Sequence, residues 1–251
     1  MPPSSKTQII TTIAPYQRIW VFTSSFLTKF NQYFINKLKL CKKHPKYNRE
    51  AFMILNHLWG LYAHPIEEWQ TIDNHHESAK FSLSHMFLIA LIPCVMGYVS
   101  SVHLGWRIGT GDVVFLTHDS ALLIAFAMYF ALIIGVFTLA YLAHWMAVTF
   151  GAQPTFTQTI ELAAYTATPI FMSALAAMYP ELWFVVSVGI ASVAYSVYLL
   201  YTGVPILMHI PEERGFIYAS SMVTCGLILL VIILAATAIL WTNGIITPTF
   251  T

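Results

Sequence analysis

The sequence predicts an all-α membrane protein, a polytopic bundle of five transmembrane helices preceded by a basic amphipathic N-terminal segment. Three observations carry this. Only 9% of the 251 residues are charged and 57% are hydrophobic, whereas an ordinary globular domain is about a quarter charged; so few charges cannot clothe a soluble surface. The charge is also segregated: nine of the twelve Lys and Arg precede residue 50, the first acid is Glu50, and the chain from Phe81 onward is nearly charge-free. Finally, that second part holds five apolar runs of about 20 residues, the length that crosses a hydrocarbon core of about 30 Å.

Taken in order, residues 1–52 form a basic extension with nine cations and one acid. Within it Tyr16, Ile19, Trp20, Phe26, Leu27, Phe30, Phe34 and Leu38 recur mostly three or four apart, while Arg18, Lys29, Gln32, Asn36 and Lys37 occupy other faces. Such a helix suits the surface of an anionic cytoplasmic leaflet. The alternative is a start codon placed too far upstream. A soluble regulatory domain is the weaker reading, since one such helix builds no core. Residues 53–81 form a cytoplasmic juxtamembrane segment. The spans follow at about 82–103, 122–150, 159–178, 182–207 and 218–242, within a membrane domain of 82–242, and 243–251 is a short tail. Breaks between spans hold most of the remaining charge: Arg107, Asp112 and Asp119, then Gln153–Pro154, then Pro180–Glu181, then Glu212 to Arg214. The runs are apolar on all sides, without the period-two alternation of a β-barrel.

Orientation follows from the cations. Ten of the twelve precede the first span when Lys80 is counted, Arg107 lies in the first loop and Arg214 in the fourth. A cytoplasmic N-terminus puts Arg214 inside, with Arg107 and Thr251 on the periplasmic side. Residues 1–20 lack the unbroken apolar core and A-x-A-like site of a Sec signal peptide.

The stretch YLLYTGVPILM (198–208), followed by PEER and a last apolar span, resembles the signature of the Ypt-interacting protein (Yip) family. HLWGLYAHPIEEW (57–69), LIPCVMGYV (91–99), HLGWRIGTGD (103–112) and YTATPIFMSALAAMYP (165–180) fall in the order of that family. The resemblance covers roughly residues 53–242 and is closest to the bacterial inner-membrane branch. It implies five spans and a cytoplasmic N-terminus in a bacterial inner membrane. In eukaryotic members it implies roles beside Rab-type GTPases in early secretory membranes; for bacterial members it implies no established activity. The chain departs from the family at its front, because a bacterial member begins near the position of Met53.

Candidate functional residues fall in two groups. His144, near the inner end of the second span, and Glu161, near the inner start of the third, are ionisable groups inside spans, which are costly there and often functional. Both are about two turns from the cytoplasmic interface, where snorkelling or a helix–helix hydrogen bond explains them without transport chemistry. The family pattern does not ask for an acid at Glu161. The second group is Tyr201, Gly203 and Pro205 with Glu212 and Glu213. Pro205 removes a backbone donor one turn before the loop, so the helix is expected to loosen there and let residues 210–214 turn along the surface, where Glu212 and Glu213 meet Lys46 or Lys80. Gly203 lets a neighbouring helix or the basic segment approach. The functional reading is a cytoplasmic docking surface; the plainer one is a bend that ends a helix.

Other features point to packing. Cys94 and Cys225 lie in spans and Cys41 in the basic segment, so none reads as a disulfide or metal cysteine. The histidine and acid groups at 64–77 and 103–119 have no closed zinc pattern, and no metal or cofactor is expected. Gly105, Gly109 and Gly111 lack the Lys-Ser/Thr pair of a phosphate loop and suit a tight turn or small hairpin. Ser187, Gly189, Ala191, Ser192 and Ser196 in span four, and Ala163, Ala167 and Ser173 in span three, allow close helix approach, within one bundle or across a homo-oligomer. Pro93 and Pro169 are expected to bend their helices. No catalytic motif is present, and nucleic acid is a poorer partner for the basic segment than anionic lipid. The sequence therefore reads as a non-enzymatic Yip-like membrane organiser or binding partner of another membrane protein. The alternative is a small transporter or channel using His144 and Glu161.

Overall fold

The computed structural model describes residues 60–75, 79–107, 111–243 and 248–250. The basic extension, with the face expected to meet anionic lipid, Cys41 and Lys46, lies outside these residues, as does the Lys80 side chain. Among the described residues six helices follow in order: α1 Pro65–His75, α2 Ala79–Val99, α3 His118–Ala147, α4 Phe156–Ser173, α5 Leu182–Met208 and α6 Glu212–Thr242. A π-helical turn, Ser100–Leu104, extends α2, and 3-10 turns, Val148–Phe150 and Ala174–Met178, extend α3 and α4. Among the described residues five segments are long and apolar enough to cross a membrane: Ser82–Leu104, His118–Phe150, Phe156–Met178, Leu182–Met208 and Glu212–Thr242.

α4 occupies the centre, with α2, α3 and α5 packed against it. Its composition explains this. Ala163 and Ala164 are fully buried or nearly so, Thr159, Thr166 and Thr168 are buried, and small side chains let three neighbours approach at once. The threonine hydroxyls are satisfied locally: Thr159 donates to the Phe156 carbonyl at 2.8 Å, Thr166 to Leu162 at 2.7 Å and Thr168 to Ala164 at 3.0 Å. The helix starts on a capping box, in which Thr155 accepts from the Gln158 N–H at 3.4 Å and donates its own N–H to Gln158 Oε1 at 2.8 Å. α2 and α4 run as continuous helices through Pro93 and Pro169. The small face of span three is thus used inside the bundle. On α5, Gly189 has open space beside it, and Ser187 and Ala191 are exposed.

The span ends opposite the α5–α6 turn are tied by short contacts. Trp106 and Val114 form an antiparallel bridge, the small hairpin expected around the loop glycines, and Arg107 lies 3.6 Å from Glu181. The tail returns to the start of α3, where the Thr117 N–H donates to the Thr249 carbonyl at 3.0 Å and the Thr249 N–H donates to Ser120 Oγ at 3.1 Å. Tyr98 is hydrogen-bonded to His118 Nδ1 at 3.0 Å. Among the described residues no three His, Cys, Asp or Glu side chains group as metal ligands.

Candidate functional site

Three residues, 209–211, join α5 to α6. Proline deletes one N–H, yet α5 stays helical through Pro205 to Met208. The carbonyl of Pro205 is used in the cap: it accepts from the Ile210 N–H at 3.3 Å, and the Ile206 carbonyl accepts from the His209 N–H at 3.4 Å. This is the paired closure of a Schellman end. His209 takes the left-handed position at φ 52°, where glycine is the usual residue. Its ring makes a compensating contact, with Nε2 3.0 Å from Asp73 Oδ2 on α1.

The expectation that residues 210–214 run along the surface is corrected by this geometry. Pro211 caps α6, and Glu212, Glu213 and Arg214 form its first turn. Proline suits a helix start, and acids there face the positive end of the helix dipole. The two helices close tightly because Gly215 has no side chain: a Cβ there would lie 2.8 Å from Pro205 Cγ. Tyr201 fixes the same hairpin, its hydroxyl 2.8 Å from Ser220 Oγ and its ring centroid 5.1 Å from that of Phe216.

Gly203 does admit a neighbour, and the neighbour is α1. A Cβ on Gly203 would stand 2.6 Å from Trp69 Cε2. Trp69 is fully buried, and its ring meets Tyr165 of α4 edge-on at 6.1 Å. Residues 60–75 therefore do not form a free solvated segment; Leu61 and Ile72 are also buried. The Tyr195 hydroxyl donates to the Leu61 carbonyl at 2.7 Å, so contacts run from Tyr195 to His209 along α5. Fourteen residues of helix amount to about 21 Å of α5 covered by this segment.

Behind α1 lies a buried polar row between α2 and α4. Glu161 is 3% exposed, and Ser82 donates to its Oε1 at 3.3 Å. His85 Nε2 lies 3.1 Å from Thr168 Oγ1, and the His85 ring packs on Tyr165 at 4.7 Å. Of the two alternatives for Glu161, the structure shows the helix–helix hydrogen bond rather than snorkelling. His144 does not share this environment: it is exposed on α3, edge-on to Phe156 at 5.7 Å. Sequence reasoning missed His85, Ser82 and Trp69. The spacing of Leu61, Trp69 and Ile72, near multiples of a helical turn, was the available signal for α1.

Residues 59–233, well over half of the chain, match the Yip1 domain. The chain belongs to the Yip family. The match takes in α1, the first four spans and most of the fifth, so the Trp69 helix is part of the family domain. The chain is 34% identical over 191 residues to "Inner membrane protein YohC" of Escherichia coli strain K12, covering 76% of this chain and 98% of that protein. The same figures hold for the protein of that name from Escherichia coli O6:H1 strain CFT073. No solved structure matches. Family membership and the five apolar helices make this Yip-family chain a multi-pass membrane protein of the YohC-like, inner-membrane kind.

Proposed function

We propose that this Yip-family protein is a non-enzymatic organiser of the bacterial inner membrane that docks another membrane protein at the cytoplasmic face, through the first turn of α6. The observation that carries this is the presentation of Glu212, Glu213 and Arg214. All three are exposed and have no ion pair among the described residues. The hairpin beneath them is held by Pro205 against Gly215, Trp69 against Gly203 and Asp73 against His209. Charges on a fixed backbone select a partner by complementarity, with little ordering cost on binding. The basic extension is assigned to anionic lipid of the same leaflet, and the open small face of α5 is available to a second copy.

This reading needs a cytoplasmic N-terminus and a periplasmic C-terminus, as the cation bias predicts. A reporter active only in the periplasm is expected to work when fused after Thr251 and to fail after Met208. The reverse pattern would overturn the orientation.

Buried Glu161 favours one competing reading, transport through the polar row. Glu161→Gln retains an acceptor for Ser82, so in the docking account it leaves membrane insertion and partner binding unchanged. Glu161→Leu strands the Ser82 hydroxyl and lowers stability by about 1–3 kcal/mol. Unfolding in detergent measures the latter. Stopped-flow assays on proteoliposomes decide the reading: docking predicts no specific flux, and a flux that Glu161→Gln abolishes would establish transport instead.

A further inference from the structure

A cavity of about 270 Å³ lies between α3, α4, α5 and α6, away from the docking face. Two glycines, Gly135 of α3 and Gly226 of α6, help to create it. A Cβ on Gly226 would meet nothing within 4 Å, and one on Gly135 would be in ordinary contact with Ile233 at 3.7 Å and Leu229 at 4.0 Å. The walls are almost entirely aliphatic, with Phe171 as the one ring. Leu227 and Leu230, on the α6 wall, are 57% and 53% exposed, so the cavity borders the lipid rather than a sealed core.

Ser196 breaks the apolar lining. It is 7% exposed, lines the cavity, and its buried hydroxyl has no hydrogen-bond partner among the described residues. Other hydroxyls of the spans behave differently. Thr166, also in the lining, donates to the Leu162 carbonyl at 2.7 Å. Thr138, Ser187, Thr202 and Thr237 likewise donate to the carbonyl one turn back. A hydroxyl unpaired in hydrocarbon is costly, so it calls for an acceptor. Ser196 lies 14 residues from the start of α5 and 12 from its end, about 21 and 18 Å along the helix, which places it near the bilayer centre.

Depth and lining select the occupant. Water needs two to four polar partners and finds too few here. A saturated acyl chain fills the space but leaves the hydroxyl unpaired. Ester carbonyls of bilayer lipids sit at the interface, about 15 Å from the centre. We propose that this cavity binds a lipid-soluble carbonyl compound with a ring-sized head, a quinone, whose carbonyl accepts a hydrogen bond from Ser196 while its tail passes out into the lipid.

The test uses the purified full chain in detergent and three probes: decylubiquinone, dioctanoylglycerol and dodecane. Decylubiquinone is expected to raise the thermal midpoint saturably, and its concentration dependence gives Kd. Ser196→Ala keeps the space and is expected to weaken that binding about tenfold. Gly226→Leu fills the cavity and is expected to abolish the quinone effect while melting no lower than the wild type. Equal effects of dodecane and decylubiquinone, or undiminished binding by Ser196→Ala, would overturn the proposal. Tighter binding of dioctanoylglycerol than of decylubiquinone would replace the quinone with an ester lipid and overturn it too.

Discussion

Gly203→Leu is expected to expel α1 from its seat on α5. The first added carbon would already stand 2.6 Å from the Trp69 ring, with further ring atoms at 2.8 and 3.0 Å. The indole cannot retreat, because it is fully buried with Tyr165 of α4 on another side. Overpacking of this kind costs about 1–3 kcal/mol, and displacement of Trp69 also draws Asp73 away from His209. Trp69→Ala alone is expected to cost about 3–5 kcal/mol by truncating a buried ring. The double variant Gly203→Leu/Trp69→Ala is expected to be less destabilised than the sum of the two, because the leucine occupies the vacated space. Unfolding midpoints in detergent for the four proteins measure this coupling. Strict additivity would show that the two residues do not share a site.

Glu212→Lys/Glu213→Lys is expected to abolish partner capture while leaving the fold intact. Both side chains are exposed at the start of α6, so the reversal disturbs no packed contact, and its cost through the helix dipole is about 0.3–1 kcal/mol per residue. Two like charges set against a complementary surface lower affinity by several kcal/mol, which means loss of co-purification. Docking by these charges also predicts that capture of the wild type weakens with rising salt. Pro205→Ala separates charge from shape, since it restores a donor inside α5 and removes the ring that packs on Gly215. If Pro205→Ala loses the partner only in proportion to lost stability, and the charge reversal captures normally, the hairpin serves structure alone.

The five spans were legible because apolar length is read along one dimension of the sequence. Their ends were less so. The second and fifth spans were placed from 122 and 218, whereas the helices begin at His118 and Glu212; a helix continues into a charged first turn that a hydropathy run cannot include. The same cause misplaced Glu212 and Glu213 in a surface loop. That Gly203 admits a close neighbour was legible from the missing side chain, but the identity of the neighbour was not. Trp69 lies 134 residues earlier, in the juxtamembrane segment before the first span, where no apolar run marks a packed helix. The polar row was half legible. Glu161 announces itself in an apolar span, while its partner Ser82 is an ordinary residue at a helix start. Pairings between helices are set by packing, which no local periodicity records.

Site-specific photo-cross-linking in native membranes tests the docking claim most directly. A photoreactive residue placed at Glu213 is expected to give one discrete heterologous adduct, lost when Glu212 is changed to Lys, while the same group at Asp119, in the first turn of α3 at the opposite end of the bundle, gives none. An absence of adducts from the Glu213 position in intact, correctly inserted protein, together with Glu161-dependent flux, would contradict the account.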